Sequence, residues 1–309
     1  MRRKIFSIIL IITLLSGFLF VLTGCESGKN GKKGSKLADV VEIGDYVDYD
    51  ANSGLTTPVT YKTDSTLTGV GSVSEYSSTD EVKWRVLSVD KDAGKVELIA
   101  TRDLDSLSLS EITGYVNAEE ILNGIGAVYG HGKGAAGGRS VNIEDIERYS
   151  SYNPEKDYKN SASSNGTVEG TRTYTSGTFI KGEGITGGTE STDDSRVVIA
   201  SSSNPVTVTQ TYYRYSDPSN YFENQKAYDV LLKDRNNFWL ASRFRRLYSS
   251  DCSFGVRYAS SSSVNSCNLY DSDGGTYNPS FGVVPVVSLK SNIQINGKDE
   301  SGAWNLKVD

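Results

Sequence analysis

Val82-Lys83-Trp84-Arg85-Val86-Leu87-Ser88-Val89-Asp90 runs into Lys91-Asp92-Ala93-Gly94 and then Lys95-Val96-Glu97-Leu98-Ile99-Ala100. The first segment alternates apolar and polar residues. That period of two points Val82, Trp84, Val86 and Val89 toward one core. Lys91–Gly94 has the composition of a tight turn, and Lys95–Ala100 reads as the return strand. The chain therefore contains at least one antiparallel hairpin with a buried face.

Working outward, Val40–Tyr49 reads as a strand, with Gly44-Asp45 as a bulge or turn. Residues 50–80 are rich in Ser, Thr and Gly and read as an excursion loop. On the other side, apolar residues at 118, 121, 122, 125 and 128 have helical spacing over Tyr115–Val128. Gly124 and Gly126 predict fraying there. A Gly-rich loop is expected from Gly130 to Gly138. A short helix is expected over Asn142–Tyr149, where Asn142 is a plausible N-cap before acidic residues. Residues 151–195 read as a long insertion with one strand near Thr173–Ile180. Further strands are expected at Arg196–Ala200, Val206–Tyr213, Phe238–Arg243, Phe254–Tyr258 and Gly282–Leu289. Pro285 is expected at a bulge or edge, and a short helix at Ala227–Leu232. Strands and helices in this order predict an α+β fold.

Composition agrees. Apolar content is modest at 37%, with 31 Gly, 19 Tyr and one Met, which favours a loop-rich, strand-containing domain over a helical bundle. The net charge of −6 argues against a nucleic-acid partner, which needs a basic face.

The N-terminus sets the compartment. Met1-Arg2-Arg3-Lys4 is a positive cluster, and Ile5–Val21 carries no charge. This is the pattern of a secretion signal. It closes on Leu22-Thr23-Gly24-Cys25, which resembles the lipobox of bacterial lipoproteins. The resemblance implies cleavage after Gly24 and lipidation of Cys25. Membrane lipid would then be a partner through Cys25, and the rest of the chain would be extracytoplasmic. The alternative is an uncleaved signal anchor. The organisation expected is a signal peptide over 1–24, a lipidated Cys and flexible tether over 25–39, a domain over 40–295 with an insertion near 150–195, and a tail over 296–309. The tether is Gly-, Lys- and Ser-rich. It has too little apolar surface to fold alone, and its lysines could approach anionic head groups. Only Cys252 and Cys267 remain beyond Cys25. Outside the cytoplasm they are a candidate disulfide.

Gly44-Asp45-Tyr46, Trp84-Arg85-Val86-Leu87, Arg139–Ile146, Phe238–Arg243 and Phe281–Leu289 together resemble an uncharacterised family of Gram-positive surface domains. The end of that pattern resembles the C-type-lectin-like fold. The family has Arg before the closing-strand Pro, whereas this chain has Val284. Between Arg245 and Ser280, the frame residues Phe254, Val256, Arg257, Val264 and Leu269 are interleaved with Ser, Tyr, Asn, Asp, Cys and Gly. That pattern resembles variable proteins of diversity-generating retroelements, some of them lipoproteins, which display variation on a C-type-lectin-like scaffold. Tyr supplies large, stiff contact area, and Ser, Gly and Asn supply adaptable hydrogen bonds.

Catalytic chemistry is sparse. His131 is the only histidine, set in Gly130-His131-Gly132-Lys133-Gly134, so no His pair can hold zinc. The same stretch is not a P-loop, because Gly134 stands where Ser or Thr is required. No cofactor is expected. Calcium is the one cation to consider, with Asp193-Asp194 and Asp271-Ser272-Asp273 as candidates. The sulfatase-modifying, formylglycine-generating enzymes share the C-type-lectin-like architecture and use a Cys pair, which leaves Cys252 and Cys267 as an enzymatic alternative. The reading adopted is a non-enzymatic anchored protein that binds a surface protein or glycan through late loops. The expected contacts are Tyr248, Asp251, Tyr258, Asn265, Asn268, Tyr270, Asp271 and Tyr277, with Trp239 and Arg243 supporting them from beneath. A structural envelope protein without specific ligand is the other alternative.

Overall fold

The leading hairpin forms as read. In a computed structural model that describes residues 31–151, 170–212 and 214–308, Trp84–Asp90 pairs antiparallel with Lys95–Ala100. A register shift between Val86 and Ser88 re-aims the end of the first strand. Trp84 sits at the centre of the core, its ring edge-on to Tyr49 at 5.6 Å and tilted to Tyr129 at 6.1 Å.

The strands that frame the fold are β1 (Tyr46–Asp48), β2 (Trp84–Asp90), β3 (Lys95–Ala100), β4 (Ala135–Ser140), β5 (Tyr215–Ser216) and β6 (Phe238–Leu247). They continue as β7 (Cys252–Ala259), β8 (Ser263–Asp271), β9 (Pro285–Leu289), β10 (Gln294–Lys298) and β11 (Trp304–Lys307). A seven-stranded sheet has the order β10-β11-β1-β2-β3-β9-β4, and a four-stranded sheet has the order β5-β8-β7-β6. Small two- and three-stranded sheets decorate them. The fold is α+β, mostly strand with few helices.

The long helix Glu111–Val128 links the two sheets. Its buried face runs through Tyr115, Ala118, Ile121, Leu122 and Ile125, a helical stripe. Tyr115 meets Phe254 of β7 edge-on at 5.4 Å, while the Ser140 hydroxyl of β4 donates to the Leu122 carbonyl at 2.6 Å. The helix does not fray at its glycines. A Cβ on Gly126 would lie 2.0 Å from the Arg139 carbonyl carbon, and one on Gly138 would lie 2.3 Å from the Gly126 carbonyl oxygen. The glycines are the contact surface that lets helix and strand backbones touch. Within the expected Gly130–Gly138 loop, the part from Ala135 onward is strand, at the far edge of the seven-stranded sheet.

Other expectations are corrected. The chain over 40–49 is strand only at Tyr46–Asp48, because Leu37–Val40 is a helical turn and Gly44 takes φ +94°. Residues 50–80 carry a hairpin, Thr60–Lys62 with Glu75–Ser77, and a helical turn Ser65–Thr68 capped by the Asp64 carboxylate. Pro285 begins an interior strand rather than an edge, at a position where a missing N–H is tolerated. The presumed tail 296–309 is part of the sheet: β11 pairs antiparallel with β10 and parallel with β1. Within the insertion, 152–169 lies outside the described residues, while Thr171–Tyr174, Thr178–Ile180, Ile185–Gly187 and Thr189–Glu190 are strands. The signal peptide, Cys25 and the tether as far as Asn30 also lie outside the described residues. Among the described residues no helix is long and apolar enough to cross a membrane.

The helix read over Asn142–Tyr149 is Ile143–Glu147, and Asn142 forms a full capping box with Asp145. Asp145 is almost wholly buried and takes two hydrogen bonds from Arg139, at 2.6 and 2.8 Å. Arg139 also reaches Glu97 at 3.0 Å, and Arg148 reaches Glu97 at 2.9 Å. This network ties the helix to β3 and β4.

Candidate functional site

The eight residues expected to form a binding face lie mainly on strands, not loops. Ser263–Asp271, read as loop, is β8, paired along its length with β7. It escaped periodicity because Ser, Asn and Cys interrupt the apolar positions. Across the ladder Ser253 opposes Asp271 at one end and Tyr258 opposes Asn265 at the other. Five residues along a strand separate these rungs by about 17 Å, so the set divides in two.

At the first end, Tyr248, Asp251, Asn268, Asp271 and Tyr277 come together. The β6–β7 turn is closed by the Tyr248 N–H donating to the Asp251 carbonyl at 2.9 Å. The Tyr174 hydroxyl lies 3.0 Å from the Tyr248 carbonyl and 2.8 Å from the Asp251 carbonyl, pinning the turn from the insertion side. Asn268 donates to the Ser253 hydroxyl at 2.9 Å and to Asp271 at 3.3 Å. The Tyr277 hydroxyl donates to the other Asp271 oxygen at 2.8 Å. Asp271 is therefore buried and fixed, while Tyr277 is 47% exposed.

Two residues that the sequence reading did not select complete this end. The Arg246 guanidinium lies between two rings, 4.5 Å from the Tyr212 centroid and 4.8 Å from the Tyr248 centroid. A strand read as ending at Arg243 hid Arg246; continuing the β6 alternation through Leu247 exposes it as a face residue. Burial raises the Tyr248 phenol above its ordinary range, and the hydrogen bond to Asp271 raises that of Tyr277. Both hydroxyls are protonated donors at neutral pH.

Three carboxylates meet here. Oxygens of Asp251, Asp271 and Asp273 lie within 4.8 Å of one another. That donor type suits a hard cation, but calcium takes roughly six to eight oxygens, and Asp271 already accepts from Asn268 and Tyr277. At the other calcium candidate, Asp194 is paired with Arg196 at 2.7 Å and Asp193 is exposed.

Tyr258 and Asn265 belong to the far end. The Tyr258 ring lies 4.7 Å from Phe281, which in turn lies 4.5 Å from Trp239. This is an aromatic cluster over the core, and the buried Trp239 indole donates to the Leu107 carbonyl at 2.8 Å. Tyr270 is 7% exposed, with its ring 6.4 Å from Phe254, and belongs to the core. Arg243 pairs with Glu119 at 3.3 Å and covers the Tyr115 ring.

The candidate disulfide is not formed in this structure. Both cysteines are free, and Cys267 opposes Val256, four residues along β7 from Cys252. That offset is about 13 Å, about twice the Cα separation a disulfide spans. The formylglycine-generating alternative draws on the same two cysteines, which are not cross-strand neighbours here. His131 is exposed in a single turn of 3-10 helix.

No protein-family profile, curated protein or solved structure matches this chain.

Proposed function

We propose that this chain is an exported recognition protein, held to the outer face of a bacterial membrane through lipidated Cys25. On this reading it binds a surface protein or glycan at the Tyr248–Tyr277 end of the four-stranded sheet. The observation that carries the reading is convergence. Residues scattered over 212–277 form one face, on which stiff aromatic rings and hydrogen-bonding side chains are already held in place by Tyr174 and Asp271. Preorganisation of this kind lowers the entropy cost of binding. The Tyr212–Arg246–Tyr248 stack offers flat area for a sugar ring or a side chain, and the Asp251 and Asp273 carboxylates accept hydrogen bonds beside it. In this reading the fold is a C-type-lectin-like scaffold, and diversification would fall on the exposed Tyr277 and the half-buried Tyr248 and Asp251.

A glycan and protein binding screen tests the proposal, run with the native chain and with Tyr248→Ala/Tyr277→Ala. A hit lost in the variant, with unchanged thermal stability, supports the face. A hit retained in full would move binding elsewhere on the molecule. Repeating the screen in EDTA decides whether the three carboxylates take part through a cation.

A further inference from the structure

The segment read as a flexible tether does not stay free. From Gly31 onward it lies along the outer edge of the seven-stranded sheet, where β10 would otherwise present unpaired backbone. The Gly34 N–H donates to the Ile295 carbonyl at 2.9 Å, and the Ile295 N–H donates to the Ser35 carbonyl at 3.0 Å. The Leu37 N–H donates to the Ile293 carbonyl at 2.8 Å, and Lys36 bridges to Gln294. Leu37 and Ala38 are buried behind this ladder. Between Cys25 and Gly31, whose backbone abuts Ile295 and Trp304, only Glu26–Asn30 remain, six steps spanning at most about 22 Å fully extended.

The same edge collects lysines. Lys36 and Lys307 flank Gln294 from its two sides, and Lys298 lies over the Trp304 ring at 4.5 Å in the next strand pair. Lys32 and Lys33 precede the docked Gly34, and all five lysines are exposed. Among the described residues none of the five takes part in an ion pair, so no carboxylate neutralises them; Lys307 donates to the Gln294 side-chain oxygen at 3.2 Å. The nearby Asp299 carboxylate is turned into its own loop, accepting from Ser301 and Ala303.

From this juxtaposition we infer that the β10 edge is a membrane-facing surface whose lysines rest on anionic phospholipid head groups. The inference rests on anchoring at the N-terminus. The short linker keeps the edge within reach of the bilayer, and Lys36, Lys298 and Lys307 at the sheet edge, with Lys32 and Lys33 in the turn before it, supply positive charge that no carboxylate neutralises. The seated edge also fixes which way the domain points, something a free tether would not do.

The test uses the full chain, isolated from membranes and reconstituted in vesicles of phosphatidylcholine alone or with phosphatidylglycerol. Flotation reports anchoring. Acetylation of each lysine, read by mass spectrometry, reports contact. In anionic vesicles Lys32, Lys33, Lys36, Lys298 and Lys307 should react roughly threefold or more slowly than in neutral ones, and salt should erase the difference. Lys62, Lys181 and Lys226 should react alike in both. A floating protein with no protection at the five lysines overturns the inference while leaving the anchor intact. Failure to float removes the anchor, and this orientation with it. Lys36→Glu/Lys298→Glu/Lys307→Glu should still float and lose the protection at Lys32 and Lys33.

Discussion

Cys267 faces Val256 across the β7–β8 ladder. That single register relation keeps the two cysteines apart, and it decides their chemistry. Burial pushes the Cys252 thiol up to about 12 and the Cys267 thiol up to about 11. Both are protonated at neutral pH and poor nucleophiles. The unfolded chain, alkylated without reductant, should show both thiols free by mass. The folded chain should label slowly at pH 7. A chain with no alkyl group on either cysteine, two hydrogens lighter than the unmodified reduced chain, would mean a disulfide and a different register.

Glu97 predicts an acid limb in stability. Burial acts to raise its pKa, but Arg139, Arg148 and Ser88 outweigh burial and hold the carboxyl down at about 2. A depressed folded pKa contributes stability that is complete above the unfolded value near 4.5 and fades as pH falls toward 2. The loss should be about 2–3 kcal/mol. Thermal unfolding between pH 2 and pH 7 measures it. Glu97→Gln should be less stable at pH 7 and show a shallower decline on acidification. Parallel pH profiles for the two proteins would show that Glu97 does not carry the effect.

Gly126 and Gly138 test the helix–strand contact. Gly126→Ala forces a Cβ into the Arg139 backbone, which has no rotamer with which to yield. The expected cost is about 3 kcal/mol in denaturant unfolding. Gly71→Ala is the control, since a Cβ there has nothing within 4 Å. Equal behaviour of the two variants would contradict the close packing.

The tyrosines of the candidate face should separate by burial. Tyr270→Ala removes a buried ring and should lose roughly 3 kcal/mol of stability. Tyr277→Ala, at an exposed position, should lose ligand binding with stability changed by less than about 0.5 kcal/mol. Comparing melting temperatures with binding for the two variants checks the division. A destabilised Tyr277→Ala would make its bond to Asp271 structural.

Local pattern determined much of this protein. The alternation of Val82–Ala100 specified its hairpin, the stripe from Ala118 to Val128 specified its helix, and Asn142 specified the start of the next. Each rests on residues close in sequence, so the signal survives without the rest of the fold. Tertiary structure decided the remainder. β4 is a strand despite its glycines because a helix backbone packs on them. β8 is a strand despite its polar residues because β7 supplies the ladder. The tail becomes sheet, and Gly34–Leu37 docks along its edge, because β10 pairs with β11 and its outer backbone bonds Gly34, Ser35 and Leu37. The site followed the same logic. Tyr248, Asp251, Asn268, Asp271 and Tyr277 were legible as a Tyr-, Asn- and Asp-rich stretch. The exclusion of Tyr258, Asn265 and Tyr270, and the inclusion of Arg246 and Tyr212, depended on cross-strand register and burial. Those are set by pairing between residues distant in sequence, which local composition does not encode.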